Sequence, residues 1–364
     1  MYIKSVSLQS FRNYESEEVS LSQGLNVFRG NNAQGKTNFL ESIYLSSIGK
    51  SPKTSKDRDL INWKENKAKI KVVVQKKYYE QTIEIFLNAK DKKTVKINSI
   101  PIKKIGDLIG EMPVVYFAPD EIGLIKDGPF ERRRFMDIDI SQMNKNYFYA
   151  LLKFEKLLNE RNNLLKKTKS FDALLDTIDL WDTQMADTAS KIIFYRLDFL
   201  NKLKEPARRA HLNITSQMEE LEISYQGIRS NVLSDIKDKI YKQYKQTIKK
   251  DYELGYTTIG PHRDDIEIKI NGVDIRNFGS QGQQRLATLS MKVAELKIFT
   301  DLVGEKPILL LDDVLSELDA SRSKNFLNEI KDYQTILTTT KYSRKLGEND
   351  AVFSVKSAVI ERVK

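Results

Sequence analysis

Eight consecutive residues, Gly30-Asn31-Asn32-Ala33-Gln34-Gly35-Lys36-Thr37, satisfy the phosphate-loop pattern G-x-x-x-x-G-K-[ST] at every position. Before them, Gly24-Leu25-Asn26-Val27-Phe28-Arg29 reads as a strand; after them, residues 35–43 read as a helix. A loop at such a strand-to-helix turn constrains the chain to an α/β fold. The residue types follow from the chemistry. Glycines let the backbone curl so that successive N–H groups surround a β-phosphate, and the helix N-terminus adds partial positive charge. Lys36 is then placed to reach the β- and γ-phosphates, and the Thr37 hydroxyl to coordinate Mg²⁺.

A second segment fits the same chemistry. Ile308-Leu309-Leu310-Leu311-Asp312-Asp313 is an apolar run, suited to a strand buried on both faces, that ends in two carboxylates. In this Walker B form Asp312 would hold Mg²⁺, and Asp313 stands where a general base or water-positioning carboxylate belongs. The plain alternative is a strand ending in a solvated pair of acids. No N-K-x-D tetrad for reading guanine occurs, so ATP is the expected nucleotide.

Composition removes other chemistries. With no cysteine, disulfides, thiolate metal sites and a Cys nucleophile are excluded. Two histidines, His211 and His262, leave no His-rich metal site. There is no run of about 18 apolar residues, so no membrane span or membrane partner is expected. The start of the chain lacks a signal-peptide pattern, and a cytoplasmic location is the expectation. The net charge is +10, with residues 1–120 at +7, 121–250 at +5 and 251–364 at −2. Such a distribution could face a polyanion on one side, or the lysines could serve solubility alone.

The periodicity places these motifs. Ile3-Lys4-Ser5-Val6-Ser7-Leu8 alternates like a half-buried strand, residues 69–77 and 81–87 read as a strand pair, and residues 94–97 as another strand. From about residue 141 to 205 Gly and Pro are almost absent and apolar residues step helically: Tyr147, Leu151, Phe154 and Leu158, then Leu174, Ile178, Trp181, Met185, Thr188, Ile192, Tyr195 and Phe199. That is a coiled-coil-like seam of two antiparallel helices, or an ordinary bundle core. Sheet patterning returns at Asp265-Ile266-Glu267-Ile268-Lys269-Ile270, with Asn271-Gly272 as a hairpin signal and Val273-Asp274-Ile275 as the return strand. A helix is expected over residues 283–300. The organisation predicted is a head of residues 1–120 and 251–364 with mixed sheets, interrupted by a helical domain at 121–250.

Two further segments lie around the Walker B strand. Gly279-Ser280-Gln281-Gly282-Gln283-Gln284-Arg285 is similar to the L-S-G-G-Q signature of ABC-type ATPases, with Ser280, Gly282 and Gln283 matching. Ser280 and the Gly282 backbone at a helix start would form a second phosphate cradle; a simple helix cap is the alternative. Ser316-Glu317-Leu318-Asp319 has the D-loop form S-x-L-D. With Phe11-Arg12-Asn13-Tyr14, Arg132-Arg133-Arg134-Phe135-Met136-Asp137, Gly260-Pro261-His262-Arg263-Asp264-Asp265 and Thr338-Thr339-Thr340, nearly the whole chain resembles the RecF family of the ABC-ATPase superfamily, which includes Rad50 and SMC proteins. Ser51-Pro52-Lys53-Thr54 departs from the S-[FH]-R-T of that family, which puts the role of its arginine in doubt.

The resemblance implies an ABC-type head that dimerises when ATP, held at Gly30, Asn31, Asn32, Ala33, Gln34, Gly35, Lys36 and Thr37 of one protomer, is capped by Ser280, Gly282 and Gln283 of the other. It implies catalysis by Lys36 and Asp313, Mg²⁺ at Thr37 and Asp312, and weak, DNA-stimulated hydrolysis. It further implies binding to double-stranded and gapped DNA, contact with single-stranded DNA, partners RecR and RecO, RecA loading, and a nucleoid-associated cytoplasmic location. A transporter ATPase subunit is disfavoured by the missing switch histidine and by the long insertion. A Rad50- or SMC-type tether would need far longer arms, and Rad50 a C-x-x-C hook. Gln75 is a candidate for the Q-loop glutamine. Arg12 could approach phosphate, Arg132, Arg133 and Arg134 could grip phosphate or pair with Glu131 and Asp137, and His262 reads as structural.

Overall fold

A computed structural model describes residues 1–342 and 346–364, with all their side chains except those of Asp120 and Glu317; Glu317 of the expected D-loop thus lies outside the described side chains. The chain divides into two compact units, residues 1–122, 206–220 and 285–364, and residues 123–205 with 221–284.

The first unit holds two six-stranded sheets. β1 (Tyr2–Phe11), β2 (Tyr14–Ser20), β4 (Lys67–Gln75), β5 (Glu80–Asn88), β6 (Thr94–Ile97) and β7 (Ile100–Pro101) pair antiparallel in the order β2-β1-β4-β5-β6-β7. β3 (Leu25–Arg29), β8 (Val114–Phe117), β12 (Ile308–Asp312), β13 (Thr335–Thr339), β14 (Ala351–Lys356) and β15 (Val359–Arg362) form the other, ordered β15-β14-β3-β13-β12-β8. Its pairs are parallel except the β14–β15 hairpin.

Helix α1 (Lys36–Ile48) packs in the core that the sheets share. Its Phe39, Leu40 and Ile43 join Ile70, Val72 and Ile85 of one sheet and Phe28, Leu310 and Phe353 of the other. A helix enclosed in this way shows no apolar stripe, so its polar residues need internal partners. Ser42 and Ser46 donate to carbonyls of the same helix, Ser47 donates to Met112 O at 2.6 Å, and Glu41, 1% exposed, takes both arms of Arg12.

The second unit contains α2 (Gly123–Lys126), α3 (Pro129–Met143), α4 (Lys145–Lys167), the first part of α5 (Phe171–Ile214), α6 (Leu233–Leu254) and α7 (Ile275–Phe278). It is not purely helical. β9 (Leu221–Gln226), β10 (Asp265–Ile270) and β11 (Val273–Asp274) form a separate antiparallel sheet, β11-β10-β9. This corrects two expectations. Residues 251–284 group with the second unit instead of the head, because β10 pairs along its whole length with β9. Residues 206–220 group with the first unit, where Asn213 donates to Glu329 and Asn325 to Ser216 Oγ, both contacts to α9 (Ala320–Ile330). The return strand is also shorter than expected: β11 ends at Asp274, whose side chain caps α7 by accepting from Arg276 N.

On α5, Leu174, Ile178, Met185, Thr188, Ile192 and Phe199 are buried as their period predicts, but so are Asp182, Ala186, Ala189, Ile193 and Arg196. The buried arc is wider than a two-helix seam, so this is a bundle core. Its long-range ties run through buried guanidinium groups. Arg161 bonds Asp182 and Asp251 at 2.8 Å each, and Arg196 bonds Asp137 at 2.8 Å and Pro261 O at 2.6 Å. Arg132 takes Asp265 bidentately, Arg133 donates to Asp264 O, and Arg134 meets Glu131. The three arginines are thus engaged within the fold, although Asp137 goes to Arg196.

His262 donates from Nε2 to Thr257 O at 3.1 Å and lies against Phe154, and its burial lowers the imidazole pKa to about 4. Asp264 accepts from the Tyr225 hydroxyl, and burial raises its carboxyl pKa to about 6. The signs oppose. Between about pH 6.5 and 4 the unfolded chain binds more protons at His262, so acid removes stability; over pH 4–6 the folded chain binds more at Asp264, so acid restores it. In His262→Gln only the second effect remains. Urea unfolding between pH 4 and 6 is expected to show the variant's stability falling more with rising pH than the wild type's, by up to about 1.4 kcal/mol per pH unit. Parallel pH profiles would remove this assignment.

Candidate nucleotide site

The loop between β3 and α1 is fixed from three sides within the first unit. Gly30 N donates to Thr339 O at 3.2 Å, and a Cβ at Gly30 would collide with Val355 O. Gly35 has φ +114°, a region open to glycine, and a Cβ there would lie 2.9 Å from Asn13 and 3.0 Å from Tyr14. Buried Tyr14 donates its hydroxyl to Gly35 O at 3.0 Å, and Asn13 accepts from Asn38 at 2.8 Å. From the far edge, Ala358 N donates to Gln34 O and Ser357 N to Gln34 Oε1. Gln34 is therefore a brace, while Asn32 and Ala33 (φ +63°) form the exposed bend.

Lys36 turns back on this loop, donating from Nζ to Gly30 O at 2.6 Å and Asn31 O at 2.7 Å. Burial lowers its ammonium pKa, against the pull of Asp313 and Asp312. Asp312, at the end of β12, accepts from Thr37 Oγ1 at 2.9 Å and from Thr338 Oγ1 at 2.6 Å. The next residue, Asp313, is in the left-handed region at φ +50°, with its N–H held by Thr338 O at 3.1 Å. Its Oδ1 is buried without a hydrogen-bond partner among the described residues. These groups border a pocket of about 440 Å³ lined by residues 32–38, Lys53, Pro119, Asp312, Asp313 and Thr338. It combines a lysine, a curled backbone, a hydroxyl–carboxylate pair and a spare carboxylate oxygen, a set that can hold a polyphosphate with a divalent cation. The orphaned Asp313 oxygen and the Thr37–Asp312 pair fit such a cation.

The remaining expectations sort plainly. Ser280 caps α8 (Gln281–Val303): its Oγ accepts from Gln283 N at 3.2 Å while Gln283 Oε1 accepts from Ser280 N at 3.0 Å, a reciprocal capping box. Ser280 and Gly282 are exposed, and none of Ser280, Gly282 and Gln283 lines the pocket. Asp319 caps α9, accepting from Arg322 N at 2.9 Å. Arg12 does not line the pocket; its guanidinium is held by Glu41 at 2.8 and 2.7 Å and by Asp59 O. Gln75 is taken up by the β4–β5 turn, donating to Lys76 O and Tyr79 O, and does not line the pocket.

Four site residues carried no role in the sequence reading: Asn13, Tyr14, Thr338 and Lys53. Each lies in a segment whose family resemblance was visible, but the partner that gives it a role is distant in the chain. Lys53 keeps a cation where the family has arginine. The loop 51–54 that carries it is pinned by Ser51, which donates to Glu41 at 2.5 Å and accepts from Lys53 N and Thr54 N.

Known proteins resemble this chain in sequence and fold. The RecF/RecN/SMC N terminal domain model matches residues 2–361. The DNA replication and repair protein RecF of Clostridium tetani is 46% identical over 365 residues, covering 98% of both chains. A solved structure of the recombination mediator protein RecF with ATP, in the RecFOR pathway, matches with a TM-score of 0.90 at 35% identity, over 100% of this chain and 98% of the other. The Smc head bound to the winged-helix domain of ScpA matches at TM-score 0.58 and 16% identity over 100% and 97%, which bears on fold alone.

Proposed function

This chain belongs to the RecF family, within the RecF/RecN/SMC N-terminal-domain group, and from that membership we propose an ATP-gated DNA-binding switch of recombinational repair and replication. The observation that carries it is the pairing of Thr37 with Asp312 beside the unpartnered carboxylate oxygen of Asp313. ATP is the ligand, with its phosphates on residues 30–37. Lys36 exchanges the Gly30 and Asn31 carbonyls for phosphate oxygens, and Lys53 adds a second cation. Thr37 and Asp312 would hold Mg²⁺, which would supply neutralisation of phosphate charge. Asp313 orients the water that attacks the γ-phosphorus and takes its proton as the bond to the β,γ-bridging oxygen breaks and ADP leaves.

Exposed Ser280 and Gly282, with half-buried Gln283 beside them at the start of α8, cap the γ-phosphate bound to a second copy. ATP and dimerisation are then thermodynamically linked. The ATP dimer binds duplex and gapped DNA, acts with RecR and RecO in loading RecA, and is released by slow, DNA-stimulated hydrolysis in the cytoplasm. The RecFOR context of the matched structure supports the partners. Analytical ultracentrifugation without nucleotide, with ADP and with ATP tests the switch. Dimers are expected with ATP alone; monomers at every concentration in ATP would overturn it.

A further inference from the structure

The second unit carries an open cleft of about 610 Å³ that none of the nucleotide chemistry uses. It lies between α6, the segment 226–229 that follows β9, and the turn 258–264. Four cations border it: Arg229, Lys239, Lys242 and Arg263. Arg229 is anchored by its Nε and Nη2, which both donate to Tyr225 O, and Arg263 is steadied 5.3 Å from the centre of the Tyr256 ring. Lys239 shares the half-exposed Asp235 at 2.7 Å, a pairing that solvent weakens. Lys242 is exposed on the adjoining turn of the helix.

The single acid among the lining residues is Asp264, which the Tyr225 hydroxyl and Arg196, 3.7 Å away, occupy from within. Glutamine amides at 243 and 246 supply further donors, while that of Gln226 is taken by Ser224 and Glu267. Two stretches of wall are bare backbone. A Cβ at Gly227 would lie 2.8 Å from Asp264 Oδ1, and Gly260, at φ +132°, would set one 3.0 Å from the Tyr244 hydroxyl. The unit as a whole is close to charge balance, so this concentration of cations is local. Ile193, Ile228, Ile240 and Ile259 share the lining, but the cleft is open to solvent and bordered by four cations, which suits a polymer of phosphates better than a small molecule, which binds in enclosed apolar concavities.

We propose that this cleft is a DNA-backbone site, in which Lys242 and Arg263 contact phosphates of one strand, with Arg229 and Lys239 beside them. This rests on the reading of the chain as an ATP-gated DNA binder and places one of its contacts. Phosphate contacts fix position and carry no sequence information, so the site would serve duplex and gapped DNA alike.

The test is the salt dependence of binding to a fluorescein-labelled duplex, using the full chain with ATP, for wild type and Lys242→Gln/Arg263→Gln. Each phosphate that a side chain ceases to neutralise lowers the slope of log K against log salt by about 0.9, so the double variant is expected to lose about 1.8 per engaged protomer and to bind at least roughly tenfold more weakly. Lys242→Arg/Arg263→Lys keeps both charges and is expected to keep the slope. ATP binding and ATP-driven association should be unchanged in both variants. A glutamine variant with the wild-type slope overturns the cleft assignment alone. A wild type that binds no duplex in ATP at low salt overturns both the cleft and the reading beneath it.

Discussion

Asp313→Asn is expected to leave ATP binding and ATP-driven dimerisation intact while slowing hydrolysis by about 10²- to 10⁴-fold, the range for removing a general base. The substitution is close to isosteric, and its backbone is not a confounding factor. Asp313 sits at φ +50°, a conformation that asparagine tolerates, and the Thr338 bond to its N–H does not involve the side chain of Asp313. What changes is the buried Oδ1, which has no partner among the described residues and is placed to accept a proton. Single-turnover hydrolysis measures the effect directly, and sedimentation in ATP should reveal a longer-lived dimer. Turnover within a few-fold of wild type would remove Asp313 from the chemistry and leave it as the cap of the turn that follows β12.

Ser280→Arg has a comparably large expected effect, on assembly instead of chemistry. A bulky cation on the exposed start of α8 should weaken ATP-driven association by at least roughly a hundredfold, about 2.7 kcal/mol, with nucleotide affinity of the monomer unchanged. Loss of the Ser280 cap alone would cost about 1 kcal/mol of helix stability and could blur the result. Mixing separates the two effects. Ser280→Arg with Lys36→Ala builds one intact composite site, from the lysine of the first and the serine of the second. Association should reappear in the mixture and in neither variant alone. If the mixture stays monomeric while both variants are folded, Ser280 is a helix cap and nothing more.

What could be read in the sequence was whatever is local in the chain. The phosphate loop, the apolar β12 ending in two acids and the glycine-flanked Ser280 each hold their chemistry within a few residues. Tyr14 and Thr338 could not be assigned because their roles exist only through Gly35 O and Asp312, 21 and 26 residues away. The missing β9 illustrates a different loss. Leu221, Ile223 and Tyr225 alternate clearly with polar residues, yet the strand is short and lies between two long helices, and its partner β10 follows almost forty residues later. The arginine run was ambiguous for a related reason: whether a guanidinium serves phosphate or an internal carboxylate depends on Asp265, which is remote in sequence.

The enclosure of α1 has a mechanical consequence. A helix whose every face is occupied, and whose serines and glutamate are already bonded, has no vacant direction in which to travel. On the proposed function, the phosphates therefore land on a fixed bed, and a difference between ATP and ADP is expected to be sensed outside α1: by the Lys53 side chain, by the turn after β12, or by a second chain. Strengthening the core around α1 should raise thermal stability without altering nucleotide discrimination, whereas alterations in the Lys53 loop should change discrimination without much effect on melting.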